Sequence, residues 1–324
     1  MGKVYVTRQL PPGGLDSLAA VHQVTVNPLD RPLAREELLE VVTAHEGIIC
    51  LLSDIIDEEV IEAAKGRVKI FANYAVGYDN IDLAAADRAG IKVTNTPGVL
   101  TEATADLAWA LLLAAARQVV AADKFTRSGG FGGWHPTAFL GGDFYGATLG
   151  VIGAGRIGQA TARRAKGFGM KILYCSRGAK PEFEAELGAS RADLETLLSA
   201  SDFITIHLPL TAETRGLLAA DRLELLKSTA VLVNTARGPV LDEAHLAVML
   251  KEGRLAAAGL DVYAQEPRIH PALLDLDNVV LLPHIGSASR QTRLKMASLA
   301  ADNVLAVLAG RQPLNPVLAP ANGC

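Results

Sequence analysis

The stretch Ala147-Thr-Leu-Gly-Val-Ile-Gly153-Ala-Gly155-Arg-Ile-Gly158-Gln-Ala-Thr-Ala-Arg-Arg-Ala165 decides how this chain folds. An apolar strand runs into three glycines and leaves as a helix. Gly153 permits a tight turn, Gly155 lets the backbone approach a pyrophosphate, and Gly158 lets helix and strand pack closely. The helix N-terminus then faces the phosphates, with Ala154, Arg156 and Ile157 bordering the same turn. Such a glycine run is weak evidence alone. Here a strand precedes it, a helix follows, and a further strand, Lys171–Cys175, comes at the right distance, so a Rossmann dinucleotide-binding unit is expected. About 20 residues past the glycines an NAD enzyme places an acid on the ribose 2′-hydroxyl. This chain has Cys175-Ser176-Arg177 there. No carboxylate repels a 2′-phosphate, and a hydroxyl and a guanidinium are at hand, so NADP(H) is expected ahead of NAD(H). The ordinary alternative is that Arg177 ends its strand in solvent.

Working outward, short apolar runs alternate with helical patterns from the start: Val4–Thr7, a helix near Gly14–Ala20, then Gly47–Leu52, Glu58–Ala64 and Lys69–Asn73. This rhythm predicts a parallel sheet covered by helices. A second series runs from Ala147 to about His284, so the fold class is α/β with two doubly wound parallel-sheet domains. Between them, Thr101–Thr126 reads as one long helix able to link the two, followed by the glycine-rich Ser128–Trp134. A last helix near Arg290–Ala309 could return to the first unit. The expected division is 1–100 plus 288–324 for a discontinuous substrate-binding domain, and 101–287 for the coenzyme domain with its linking helix.

The 324 residues suffice for two cores, and half of them are hydrophobic. A net charge of −4 gives no field to recruit nucleic acid or an anionic membrane. The cysteines, Cys50, Cys175 and Cys324, have neither disulfide nor zinc spacing. No metal site is expected, and a reducing cytoplasm fits. The N-terminus has no apolar signal core, and Leu107–Ala116 is too short to span a bilayer.

Two further strands end in groups that chemistry can use. Val231-Leu-Val-Asn234-Thr235-Ala236-Arg237-Gly238 delivers an arginine to a carboxyl edge, where doubly wound folds bind ligands, and Leu281-Leu-Pro-His284-Ile-Gly286 delivers a histidine. Between them Gly259-Leu-Asp261-Val-Tyr-Ala-Gln-Glu266-Pro267 supplies two acids. Reduction of a 2-keto acid needs a cation for the carboxylate and carbonyl, a proton donor and a hydride source. Taken singly, each residue has a plainer reading: a surface cation, a hydrogen-bonded loop histidine, a solvated acid.

Several motifs now stand in one order: Asn73-Tyr-Ala-Val-Gly-Tyr-Asp-Asn-Ile-Asp82, the glycine turn, Ser201-Asp-Phe-Ile-Thr-Ile-His207-Leu-Pro209, Asn234-Thr-Ala-Arg-Gly238, Asp261 through Glu266-Pro267, and Pro283-His284-Ile-Gly286. In this the chain resembles the D-isomer-specific 2-hydroxyacid dehydrogenases over nearly its whole length, close to their glyoxylate/hydroxypyruvate reductase branch. The resemblance implies that Arg237 binds the substrate carboxylate and polarises the carbonyl. His284 would exchange the proton, and Glu266 would orient its ring and favour the protonated form. Asp261 would contact the nicotinamide carboxamide, while Thr104, His207, Leu208, Pro209, Thr214, Thr235, Ala236 and Gly286 would line the coenzyme. Amides at Val76 and Gly77 would hold the substrate, bordered by Leu52 and Ser53. Trp134 reads either as packing in a homodimer or as a substrate-pocket wall, since in similar reductases this region crosses a dimer.

Phosphite dehydrogenase is a competing member, because Arg127–Trp134 and the His284 segment resemble it too. Its pattern, however, has lysine where this chain has Val76. The long C-terminal extension of many phosphoglycerate dehydrogenases is lacking as well. Small 2-keto acids without phosphate, glyoxylate and hydroxypyruvate, remain the expected substrates. Outside enzymes, an NAD(H)-sensing corepressor is the alternative, and an S-adenosylhomocysteine hydrolase-like protein would be longer.

Overall fold

The computed structural model describes residues 1–318. Cys324 and the end of the proline-bearing tail lie outside them. The chain divides into two compact units: Met1–Leu100 with the chain from Ser287 onward, and Thr101–Gly286.

In the first unit five parallel strands, β1 (Lys3–Val6), β2 (Gln23–Val26), β3 (Gly47–Cys50), β4 (Ile70–Asn73) and β5 (Lys92–Thr94), lie in the order β2-β1-β3-β4-β5. The central strands β3 and β4 are buried along their whole length, which explains why they read as unbroken apolar runs rather than alternating ones. Helices 35–44, 58–64 and 83–88 close one face over Ile48, Val60, Ile61 and Phe71. Helix Arg290–Leu308 packs on β3, β4 and helix Asp16–Ala19, so residues from both ends of the sequence build this unit.

In the second unit, seven parallel strands, β6 (Thr148–Ile152), β7 (Lys171–Cys175), β8 (Ser190–Arg191), β9 (Phe203–Ile206), β10 (Val231–Asn234), β11 (Ala257–Leu260) and β12 (Val279–Leu281), lie in the order β12-β11-β10-β9-β6-β7-β8. Numbered within the unit, this is 7-6-5-4-1-2-3, the Rossmann order with a seventh strand. The chain reverses its winding between β6 and β9, the crevice where such sheets take ligands. The fold-class expectation holds in both units.

The expected single helix from Thr101 to Thr126 does not form. It ends at Ala116 and restarts at Val119, the two pieces meeting at 61°. The cause is tertiary: Gly142 N–H occupies the Ala116 carbonyl, and Gln118 turns left-handed with φ 51°. The first piece is a core helix of the second unit, laid on β10, β11 and the helix after the glycine turn, with the Trp109 indole donating to Thr161 O at 2.8 Å. No single helix among the described residues is long and apolar enough to cross a membrane.

Candidate active site

The glycine turn has the steric form that a pyrophosphate cradle requires. Gly153 has φ +97°, and a β-carbon there would sit 2.6 Å from the carbonyl oxygen of His207. One on Gly158 would sit 2.0 Å from Gly153 O, so the helix Arg156–Ala165 reaches its strand only without a side chain. A β-carbon on Gly155, by contrast, would meet no atom within 4 Å, which leaves open space before the helix N-terminus. Arg156 is exposed there, and Ala154 is buried. His207 and Leu208 border the turn. The His207 ring meets Thr205 Oγ at 2.9 Å, and burial lowers its pKa to about 3, so it stands neutral. Thr214 closes its own loop by donating to Pro209 O at 2.6 Å.

At the end of β7 the Ser176 hydroxyl donates to Gly178 O at 2.6 Å, while Arg177 is exposed. A residue that the sequence reading passed over, Arg191 on β8, donates to the carbonyls of both Ser176 and Arg177 at 3.1 and 3.2 Å. It fixes this loop and adds a second cation beside it. Across from them the hydrogen bond with Thr211 and, more weakly, the charge of Arg177 hold the Glu213 carboxyl below the usual range.

The other carboxyl edge carries the titrating groups. After β10, the Asn234 side chain accepts from Ala236 N–H at 3.0 Å and donates to Arg237 O at 2.9 Å, which pins the turn presenting Arg237. Gly238 lets this turn meet the next loop, since a β-carbon there would fall 1.8 Å from the Tyr263 carbonyl carbon. In that loop Glu266 Oε1 accepts from Tyr263 N–H at 3.1 Å, and the buried Glu243 carboxylate accepts from Ala264 N–H. The other oxygen of Glu266 meets His284 Nδ1 at 2.8 Å. Burial opposes ionisation of Glu266. The hydrogen bond and charge of His284, the Tyr263 amide and the nearby Arg237 outweigh it and hold the carboxyl below its usual value.

His284 itself stands at φ +54°, a left-handed conformation that costs a side-chain-bearing residue about 1–3 kcal/mol. Asp261 sustains it. Its fully buried carboxylate accepts from Ile285 N–H at 2.7 Å and Gly286 N–H at 2.8 Å, one on each oxygen. Burial raises its pKa against those two hydrogen bonds and the His284 charge. Thr104 lies beside Gly286 and Asp261, buried, and Ala236 and Thr235 are buried at the end of β10. The Thr235 hydroxyl is buried without a protein partner, an opening that a bound coenzyme's polar atoms would satisfy. Cradle and orphaned hydroxyl both suit a dinucleotide.

Leu52, Ser53, Val76 and Gly77 belong to the first unit, on the loops that follow β3 and β4. Trp134 stands 86% exposed in the segment after helix Val119–Arg127. Among the described residues no group of three or more His, Cys, Asp or Glu is placed to hold a metal.

Residues 109–286 match the family model of the D-isomer specific 2-hydroxyacid dehydrogenase, NAD binding domain. The chain belongs to this family. It is 53% identical over 315 residues to a glyoxylate reductase of Thermococcus kodakarensis, covering 96% of this chain and 94% of that one. A solved protein from Thermus thermophilus matches with TM-score 0.92 and 48% identity, over 98% of this chain and all of that one. The NADPH-dependent glyoxylate/hydroxypyruvate reductase of Sinorhizobium meliloti, solved with NADP and malonate, matches with TM-score 0.84 and 34% identity over 98% and 96%. This member of the family is an oxidoreductase of the glyoxylate reductase branch with a domain for a nicotinamide coenzyme.

Proposed function

We propose that this dehydrogenase reduces a small 2-keto acid, glyoxylate or hydroxypyruvate, to the D-2-hydroxy acid, with NADPH ahead of NADH. The observation that carries the reading is the His284–Glu266 pair at 2.8 Å, set with Arg237 at the carboxyl edge of a Rossmann sheet. Arg237 binds the substrate carboxylate through its planar fork and draws electron density from the carbonyl. The reduced nicotinamide, when bound, supplies the hydride. His284 gives the proton on Nε2 to the oxygen that becomes the hydroxyl, and in the reverse direction takes it back. Glu266, held ionised, keeps Nδ1 as the donor to itself and so fixes which nitrogen faces the substrate. Asp261 holds the backbone that presents the ring. Amides at Val76 and Gly77, with Leu52 and Ser53, form the substrate's border in the first unit.

What supports NADPH is the pair of cations, Arg177 and Arg191, where a ribose-binding acid would stand. Turnover of glyoxylate with NADPH, and its dependence on Arg237, tests the whole assignment. No oxidation of NADPH with either glyoxylate or hydroxypyruvate would overturn it in favour of a protein that only binds the coenzyme.

The same reading includes a homodimer. Phe125, Phe131, Trp134, Leu140 and Tyr145 are all exposed along one stretch of sequence, apolar side chains that a second copy could cover. Sedimentation at micromolar concentration is expected to give twice the monomer mass, and a monomer would refute the dimer.

A further inference from the structure

We propose that Asn80, together with Asp54, is a positioning residue that locks the two substrate-facing loops of the first unit into one rigid piece. The inference rests on the reading of Leu52, Ser53, Val76 and Gly77 as substrate-facing. These four residues sit on separate loops, 51–54 after β3 and 74–80 after β4. One carboxamide bonds to both loops, beside the backbone bonds from Tyr74 N–H to Cys50 O and from Ile56 N–H to Asn80 O at their ends. Asn80 Nδ2 donates to Leu51 O at 3.0 Å and to Asp54 O at 2.9 Å, the two ends of the first loop. Its oxygen accepts from Asn73 Nδ2 at 3.1 Å, and that same Asn73 nitrogen donates to Gly77 O at 2.8 Å.

Asp54 completes the lock from the other side. Its buried carboxylate accepts from Leu51 N–H at 2.8 Å and from the Thr7 hydroxyl at 2.5 Å, so the first loop is also tied to the end of β1. Packing holds part of each loop, since Asp54, Tyr74 and Ala75 are buried, but not all of it. A cavity of about 380 Å³, lined among others by Arg8, Leu51, Tyr74 and Arg293, lies against the first residue of each loop. Where that space lies, directional hydrogen bonds add what packing leaves unset. Amides that hold a carboxylate must be placed within a fraction of an ångström, and a misplacement of about 1 Å is able to cost on the order of 100-fold.

The test is Asn80→Ala in the full-length enzyme. The KM for glyoxylate should rise on the order of 10-fold or more, with the KM for NADPH unchanged, because the coenzyme turn belongs to the other unit. Thr7→Val, a milder and nearly isosteric change, should move the KM the same way by less. Asp54→Asn keeps an acceptor for Thr7 and Leu51 and should stay near wild type, whereas Asp54→Ala should not. Hydrogen exchange supplies a readout independent of turnover: Asn80→Ala should speed exchange in residues 51–54 and 74–80 while β1, β3 and β4 stay protected. An unchanged glyoxylate KM, or exchange raised evenly through the whole sheet, would overturn the proposal. A wild type inert toward glyoxylate would instead sink the functional reading, and the exchange result would still decide this one.

Discussion

At the carboxyl edge of β6 the chain removes side chains, and at the carboxyl edges of β3 and β4 it adds polar ones. Gly153, Gly155 and Gly158 clear a space bounded by backbone, with the amides of a helix N-terminus facing it. In the first unit Asn73, Asn80, Asp54 and Thr7 knit two loops together through their side chains. Both sheets are parallel and doubly wound, and both reverse their winding near these edges. The architecture therefore does not decide what an edge does; the residues placed there do. A phosphate cradle needs the side chains gone because the ligand brings its own charge, whereas loops that on the proposed reading hold a small acid need side chains to hold them first.

The comparison is broken most sharply at His284. If the chemistry sits in the second unit, His284→Ala should lower kcat by roughly 10²–10⁴-fold, the usual contribution of general acid catalysis, and leave NADPH affinity within a few-fold. Steady-state kinetics with a coenzyme titration measure both. Near wild-type turnover would remove His284 from the reaction. Arg237→Lys should follow, with roughly 10- to 100-fold lost in kcat/KM, since an ammonium keeps the charge but not two parallel hydrogen bonds. An unchanged KM for glyoxylate would mean that the carboxylate is held elsewhere.

A coenzyme-ratio experiment sharpens the same contrast within the second unit. Ser176→Asp should shift the ratio of kcat/KM for NADPH to that for NADH by about 10-fold or more toward NADH, because a carboxylate there accepts from a 2′-hydroxyl and repels a 2′-phosphate. The Ser176 hydroxyl already donates to Gly178 O, so on the proposed reading a 2′-phosphate would fall more to Arg177 and Arg191 than the sequence alone suggests. A wild type that prefers NADH, or a ratio that the substitution leaves alone, would discard the NADPH assignment.

How much of this was legible before the structure follows from how far each interaction reaches along the chain. The glycine turn is local, strand to turn to helix, so its residues announce themselves. Arg237 and His284 are marked by strand ends, although only the family resemblance paired His284 with Glu266, 18 residues away. Asp261 was legible as an acid, but not as the group that holds the His284 backbone, because its partners Ile285 and Gly286 lie 24 and 25 residues on. Arg191 and the Asn80 lock escaped for the same reason: they act on carbonyls, which every residue has. The helix break at Gln118 was hidden because its cause, the Gly142 amide on the Ala116 carbonyl, belongs to a later segment.

The smallest expected effect distinguishes the two units by the sign of a pH slope. Burial raises the pKa of Asp54 above its ordinary 3.8, against the hydrogen bonds from Thr7 and Leu51 and the charge of Arg8. The folded chain thus keeps a proton there at a pH where the unfolded chain has lost it. Ionising Asp54 then costs stability, a cost absent below 3.8 that grows until the pH passes the raised folded value. Asp54→Asn abolishes it, so the stability of the variant relative to wild type should improve as pH rises through that window. Glu266 has the opposite sign. Its folded value lies below the ordinary 4.5, so its ion pair with His284 stabilises the fold above 4.5 and is lost as pH falls through the folded value. Glu266→Gln should accordingly cost more above pH 4.5 than in acid. Denaturant midpoints of the two variants and wild type, measured from about pH 3 to pH 7 across the ordinary carboxyl range, give both slopes. Slopes of the same sign would mean that the buried carboxylate of the first unit is as well compensated as the paired one of the second, and the distinction between a lock built on desolvation and a site built on charge would fall.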